Sequence, residues 1–327
     1  MELKEIYQKD LCVGSGLSYP RISFEVFPPK DGDSSKLFEE LRVLKKYNPA
    51  LVSLTYGANG GNRQFSYELL QMILDLELNV MPHFTCVGAT KEIIELYIMQ
   101  IENLGIENIL ALRGDLSDDV SINDFKYASD LVDFIHQKST LSIGVAGYPE
   151  CHIECENLDK DIDNLKRKID LGASAIFTQL FFDNDKFYSY CEKVRKAGVE
   201  VPVIPGIMPI RSLKQIEKMI SMTHVEIPKI LRERLEKYPN DVKKVGVDFA
   251  IDQCQQLIDS EVCGLHFFTL NHSDQVSEIL GGLSTLNRPS RHSVPDTESV
   301  NAYSCYEQSK LIDSESSSEW HNKRYVN

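Results

Sequence analysis

Eight short segments rich in β-branched and aromatic residues recur along the 327-residue chain, at 21–27, 51–56, 80–86, 109–115, 141–148, 175–182, 201–208 and 264–270. The stretches between them are longer and carry apolar residues three and four apart, as in KEIIELYIM at 91–99 and DIDNLKRKI at 161–169. That spacing lines one face of a helix. Strand followed by helix, eight times over, predicts an α/β chain folded as a (β/α)8 TIM barrel. A doubly wound open sheet alternates in the same way, and the count of eight favours the barrel. The interval between the seventh and eighth segments is the widest, so 211–259 is expected to hold an extra helix between strands 7 and 8. Two parts are expected: a barrel over 1–287, and a tail over 288–327. In the tail Ser314, Ser316, Ser317 and Ser318 stand among Asp313, Glu315 and Glu319, which predicts disorder.

Composition narrows the class of function. The chain is 42% hydrophobic and 26% charged, enough apolar content for one large core. A formal charge of -14 argues against the basic surfaces that nucleic acid or anionic membranes require. No apolar run approaches the roughly 20 residues that span a bilayer. The opening MELKEIYQKD lacks the basic-then-apolar layout of a secretory signal. The expected location is therefore the cytoplasm. The eight cysteines are scattered, which predicts reduced thiols. Cys151 and Cys155 flank His152, but no second cysteine pair completes a zinc-site spacing, and no metal is expected.

Alternation within the strands says more than their number, because residues i and i+2 share a face. In the first strand Ile22, Phe24 and Val26 are expected to face the helices, leaving Ser23, Glu25 and Phe27 inside. The same rule puts Ser53 and Thr55 inside in the second strand, and His83 and Thr85 in the third. In the fourth it places Leu110 and Leu112 outside, with Ala111, Arg113 and Asp115 inside. Ser142, Gly144, Ala146 and Tyr148 point inward in the fifth, and Ala175, Phe177 and Gln179 in the sixth. Any one of these polar residues has an ordinary structural explanation, as a hydrogen-bonded core histidine or a plain ion pair. Glu25, Thr55, His83, Arg113, Asp115, Tyr148 and Gln179 together, most near the C-terminal ends of their strands, predict an enzyme site. Glycine motifs do not reveal a cofactor. Gly14 and Gly16 precede a strand without completing a dinucleotide fingerprint, and Gly57, Gly60 and Gly61 form a loop that reads equally well as a plain turn.

The strand ends carry a resemblance. SFEVFPPK at 23–30, SLTYGA at 53–58, PHFTC at 82–86, ILALRGD at 109–115 and AGYPE at 146–150 resemble the successive motifs of the methylenetetrahydrofolate reductase family. TQLFFD at 178–183, IPGIMP at 204–209 and HFFTLN at 266–271 continue it in order, so the resemblance covers roughly residues 20 to 287. It implies a barrel that binds FAD without a Rossmann fingerprint. Hydride then passes from NADH or NADPH through the flavin to 5,10-methylenetetrahydrofolate, giving 5-methyltetrahydrofolate for methionine synthesis. Position by position it implies FAD contacts at Thr55, His83, Arg113, Gly114, Asp115, Ala146, Tyr148, His152, Asp161, Asn164 and Lys168. Arg113, His152 and Lys168 would meet its phosphates and ribose. Glu25 resembles the general acid, and Asp115 a second catalytic residue between flavin and pterin. Substrate contacts are implied at Glu25, Thr55, Asp115, Gln179, Gln215, Met219 and His272.

Two positions depart from the family pattern: Met219 stands where an aromatic is common, and His272 where an arginine is common. About forty residues follow the barrel, too few for the S-adenosylmethionine-binding domain of eukaryotic members, so feedback through such a domain is not expected. A homo-oligomer is the expected assembly. Two alternatives stay open. One is a metal-dependent barrel lyase or hydrolase using His83, His152, Asp115 and Glu25 as ligands. The other is a folate-reductase subunit fed by an iron-sulfur partner.

Overall fold

The computed structural model describes residues 1–7, 20–55, 63–114 and 124–283. Eight strands close into a barrel in chain order. They are β1 (Arg21–Val26), β2 (Leu51–Leu54), β3 (Val80–Thr85), β4 (Asn108–Leu112), β5 (Ser142–Gly147), β6 (Ala173–Leu180), β7 (Val203–Ile207) and β8 (Gly264–Phe268). Each pairs in parallel with its neighbours, and β1 with β8 closes the cylinder, placing Ser23 beside His266 and Glu25 beside Phe268.

Helices connect the strands: α2 (Ser35–Lys45), α3 (Arg63–Asp75), α4 (Lys91–Asn103), α5 (Ala128–Lys138), α6 (Leu158–Asp170) and α7 (Asn184–Lys196) follow β1 to β6 in turn. Side chains just ahead of several helices satisfy first-turn N–H groups that have no partner within the helix. Thr90 accepts from Ile93 N ahead of α4, and Asn157 from Lys160 N ahead of α6. After β7 come three helices: α8 (Leu213–Thr223), α9 (Lys229–Lys237) and α10 (Val242–Asp259). The wide interval thus holds two helices beyond the usual one. Ile216, Leu231, Leu235, Val245 and Phe249 bury a core of their own there with Met208 and Ile210. α11 (Asp274–Gly282) follows β8.

Two apolar layers fix what faces the centre. Phe24, Val26, Val52, Leu54, Phe84, Ile143, Val145, Ile176 and Phe267 pack outward against the helices. Leu51, Met81, Leu110, Ala175, Phe177 and Ile204 fill the interior. A short α1 (Leu3–Ile6) closes the bottom, adding Leu3, Ile6 and Tyr7 to that inner cluster. Two of its hydrogen-bond partners are first residues of strands: Leu3 N donates to Ser142 Oγ at 3.1 Å, and Asn108 Nδ2 donates to the Met1 carbonyl at 3.1 Å. The Tyr7 ring meets Phe177 edge-on at 5.8 Å.

Strand β4 corrects the alternation expected of it. Its register with β3 pairs His83 with Leu110 and Thr85 with Leu112, and paired residues share a face, so Leu110 faces inward. Ala111 lies in the helix-facing layer. Both phases of ILAL are apolar, so the sequence carries no contrast to set the phase. Packing sets it instead: Leu110 lies 3.0 Å from where a Cβ on Gly144 would sit. Arg113 and Gly114 follow the end of the strand, and the Gly114 φ of +87° turns the chain there. Arg113 comes one residue past the strand, its carbonyl still accepting from Val87 N at 2.9 Å, and the inward phase of Leu110 and Leu112 does not extend to it. Asp115 lies outside the described residues, as do the loop of Gly57, Gly60 and Gly61, Gly14 and Gly16, and the segment beyond 283. Among the described residues no helix is long and apolar enough to cross a membrane.

The bottom closure is testable at Gly264, where a Cβ would stand 2.5 Å from Tyr7 Cε1 and 2.9 Å from the Arg21 carbonyl. Gly264→Ala is expected to destabilise the protein by about 1–3 kcal/mol through overpacking. Gly281→Ala, in α11 with nothing within 4 Å of the new Cβ, should be neutral or mildly stabilising. Urea unfolding of both variants checks this, and an unchanged midpoint for Gly264→Ala would mean that α1 is not packed as described.

Candidate active site

The strands raise a buried carboxylate between two imidazoles. Glu25, only 8% exposed, points inward from β1. Its Oε2 lies 3.7 Å from His83 Nε2 and 3.8 Å from His266 Nε2. Ser23, two residues earlier on the same face, holds His266 Nδ1 at 2.8 Å, which leaves Nε2 directed at the carboxylate. Phe177 and Phe268 meet the His266 ring edge-on at 5.2 and 5.5 Å and fix its plane. Thr269 secures the strand itself, donating from its hydroxyl to the Glu25 carbonyl at 2.6 Å. Burial depresses the His83 pKa from 6.5 to about 4, assisted by repulsion from His266 and opposed by Glu25, so the ring is neutral near pH 7. Among the described residues, His83 Nε2 and Ser53 Oγ are buried without a hydrogen-bond partner. Polar atoms so placed in a protein interior are candidates to meet a ligand.

A second cluster gathers cations beyond the ends of β4 and β5. Arg113 forms a two-pronged pair with Glu154 at 2.6 and 2.8 Å. Lys168 reaches back from α6 to donate to the Ala146 carbonyl at 2.8 Å. Burial lowers its pKa to about 8, with Asp161 opposing the fall. Asp161 accepts from His152 N at 3.0 Å, and the His152 ring stands edge-on to Tyr148 at 4.7 Å. Desolvation lowers the pKa of His152, and the nearby charges of Arg113 and Lys168 lower it further. Asn164, exposed on α6, lies 4.0 Å from Cys155 Sγ.

The residues expected on the substrate side are more dispersed. Gln179 is half-buried and its Oε1 accepts from the Leu180 backbone at 2.9 Å, while Thr55 is half-buried beyond the end of β2. Both ends of the Gln215 amide are engaged locally: Oε1 accepts from Arg211 N at 2.7 Å, and Nε2 donates to the Pro209 carbonyl at 3.1 Å. Met219 packs at the edge of the α8–α10 core. His272 is half-buried, and desolvation lowers its pKa, with Arg211 and Lys36 adding to the effect. The structure therefore unites Glu25 with His83, and Arg113 with His152, Asp161 and Lys168. His266 was not among the expected site residues, although strand alternation carried to β8 would have put it inside. Of the ligands in the metal reading, His83 and Glu25 share one cluster and His152 belongs to the other. Among the described residues no three His, Cys, Asp or Glu side chains form a metal-binding group.

A closed parallel barrel with an acid–imidazole group inside and cations at its C-terminal rim has the layout of the barrel enzymes. Residues 17–284 match the family model of methylenetetrahydrofolate reductase, and the chain belongs to that family. The 5,10-methylenetetrahydrofolate reductase of Escherichia coli is 36% identical over 258 residues, covering 77% of this chain and 87% of that protein. Its counterpart from Buchnera aphidicola subsp. Schizaphis graminum is 39% identical over 263 residues, covering 79% and 89%. Methylenetetrahydrofolate reductase 1 of Schizosaccharomyces pombe is 34% identical over 302 residues, which is 89% of this chain and 50% of the yeast protein. A Clostridium thermocellum protein described as binding two copies of 5-methyl-5,6,7,8-tetrahydrofolic acid shares the fold, with a TM-score of 0.59 at 14% identity, covering 81% of this chain and 94% of that one.

The neutral His83 makes a pH prediction. Its folded pKa, about 4, lies below the ordinary 6.5, so between those values the unfolded chain binds the proton that the folded chain refuses. Stability should then fall as pH drops from 6.5 towards 4, by roughly 3 kcal/mol from this residue. In His83→Gln that part of the slope should vanish. Chemical unfolding of both proteins across the window measures it, and parallel pH profiles would contradict a buried neutral His83.

Proposed function

We propose that this protein reduces 5,10-methylenetetrahydrofolate to 5-methyltetrahydrofolate, with FAD as cofactor and NADH or NADPH as electron donor, and so supplies methyl groups for methionine synthesis. The observation that carries the reading is the buried Glu25 between His83 and His266 in a barrel of this family. The overall change adds hydride to the bridging carbon and a proton to the nitrogen it leaves. A buried carboxyl facing two imidazoles would deliver that proton. His83, neutral and 3.7 Å from the carboxyl, stands beside it without competing as an acid.

The rim cations fit the diphosphate of a flavin nucleotide. Lys168 carries a desolvated ammonium whose attached hydrogen-bond acceptor is a neutral carbonyl, and an incoming anion would stabilise its charge. Arg113 and His152 would share that role. Thr55, Gly114, Ala146, Tyr148, Asp161 and Asn164 would complete the cofactor's surroundings, with Asp115 beside the ring. When bound, the flavin supplies the hydride chemistry. Gln179, Gln215, Met219 and His272 would meet folate. Anaerobic titration of the holoprotein with NADH, NADPH and a reduced iron-sulfur protein in turn identifies the donor.

Removing the Lys168 ammonium tests the cofactor assignment. Lys168→Met is expected to weaken FAD binding tenfold to hundredfold, the effect of one charge-assisted hydrogen bond. Wild-type affinity measured by flavin fluorescence quenching would remove Lys168 from the site.

Glu25→Gln tests the chemistry, because Gln keeps the shape and removes the transferable proton. Bleaching of the holoenzyme by the nicotinamide requires no acid for folate and should change little. Recovery of the yellow absorbance on mixing with methylenetetrahydrofolate should slow about 100- to 10,000-fold. If recovery proceeds at the wild-type rate in a flavin-loaded variant, Glu25 is not the acid.

A further inference from the structure

The turn that leaves β5 carries two thiols on either side of a residue assigned above to the flavin site. Cys151 and Cys155 are both free and half-buried. The turn brings the Cys151 side chain against the Cys155 backbone: Cys151 Sγ lies 3.6 Å from the His152 carbonyl and 4.0 Å from the Cys155 carbonyl. Backbone bonds fold the loop back on itself: Cys151 N donates to the Tyr148 carbonyl at 3.1 Å, and Cys155 N to the His152 carbonyl at 2.8 Å. Cys151 occupies the left-handed region, at φ +72°, which starts the turn. Ile153 and Glu154 between them are exposed, so a small molecule can reach the loop.

We propose that Cys151 and Cys155 are a reversible thiol–disulfide pair, modified by small-molecule disulfides, whose closure loosens the flavin end of the site. This rests on the assignment of Arg113, His152 and Lys168 to the cofactor. The steps balance in electrons and protons. The Cys155 thiolate attacks one sulfur of the small disulfide, forming a mixed disulfide and releasing the first small thiolate. Cys151 then attacks the Cys155 sulfur, forming the internal disulfide and releasing the second. The two protons lost by the cysteines leave on the two small thiols, so the protein is oxidised by two electrons and the reagent reduced by two. Burial, Asp161 and the neighbouring thiol push the Cys151 pKa up to about 11, which disfavours its thiolate as the first attacker.

Closure has consequences because of what the loop holds. A disulfide requires sulfurs about 2.0 Å apart, so the two free thiols must approach and the three residues between them must move. Those residues include His152, which donates from its backbone to Asp161, and Glu154, which grips Arg113 through both carboxylate oxygens. Glu154 N also donates to His152 Nδ1 at 3.1 Å, so the two side chains move together. Oxidation thus disturbs Arg113 and His152 at once, without touching Glu25.

The test uses full-length holoprotein incubated with oxidised glutathione, followed by alkylation and peptide mass mapping. The expected result is loss of both alkylatable thiols from the peptide spanning 151–155, with a mass lower by two hydrogens and no retained glutathione. FAD should dissociate at least tenfold more readily, read by recovered flavin fluorescence, and dithiothreitol should reverse it. Cys155→Ser should bind FAD as the wild type does and ignore the oxidant, while Cys151→Ser should trap glutathione on Cys155. Persistent glutathione adducts in the wild type, or an internal disulfide that leaves FAD affinity unchanged, would overturn the proposal. A chain that closes the disulfide but binds no FAD in either redox state would instead overturn the functional reading, since the mass map scores the thiols independently.

Discussion

The pairing of β1 with β8 is the constraint on which the rest of the molecule depends. Until those strands meet, the sheet has two edges and no inside, and a carboxylate on β1 faces solvent. Closure sets Ser23 beside His266 and Glu25 beside Phe268, strands more than 240 residues apart in sequence. It turns three side chains that are unremarkable separately into one group: a serine that fixes an imidazole, and the imidazole that faces a carboxylate. The Thr269 hydroxyl on the Glu25 carbonyl locks the same seam just above the sheet.

Closure also separates two environments with different physics. Inside, burial dominates: His83 is held neutral, and Glu25 is buried beside it and His266. At the rim, charges meet charges: Arg113 with Glu154, Lys168 near Asp161, His152 among them. A ligand with an anionic end and a planar reactive end matches that division. The bottom of the barrel has neither character. It is sealed by α1 with Leu3, Ile6 and Tyr7, and this supports the site by filling space.

Much of the site was legible because polar residues in inward phase are expensive to bury and therefore conspicuous. Glu25 stood out between Phe24 and Val26, and His83 beside Phe84, since their neighbours define the outward phase without ambiguity. His266 was legible by the same rule, in a strand where Leu265 and Phe267 mark the outside. β4 was not, because Ile109, Leu110, Ala111 and Leu112 are all apolar and either phase buries equally well. Inward alternation was expected to carry Arg113, but with Leu110 facing inward beside His83 it does not. The second additional helix after β7 was likewise hidden, because a long interval with helical spacing does not say where its breaks fall.

By itself, then, the sequence determined the eightfold alternation, the helix-facing stripes, the family and the residues capable of chemistry, all of which are local patterns or local identities. Only the tertiary structure decided the phase of β4, the contact of Ser23 with His266, the pairing of Arg113 with Glu154 and the approach of Cys151 to the Cys155 backbone in the turn after β5. The physical reason is common to all four. Each is a distance between groups whose separation along the chain, or whose backbone turn, is set by packing against elements elsewhere. Hydrophobic periodicity reports which face is buried but not what that face will meet.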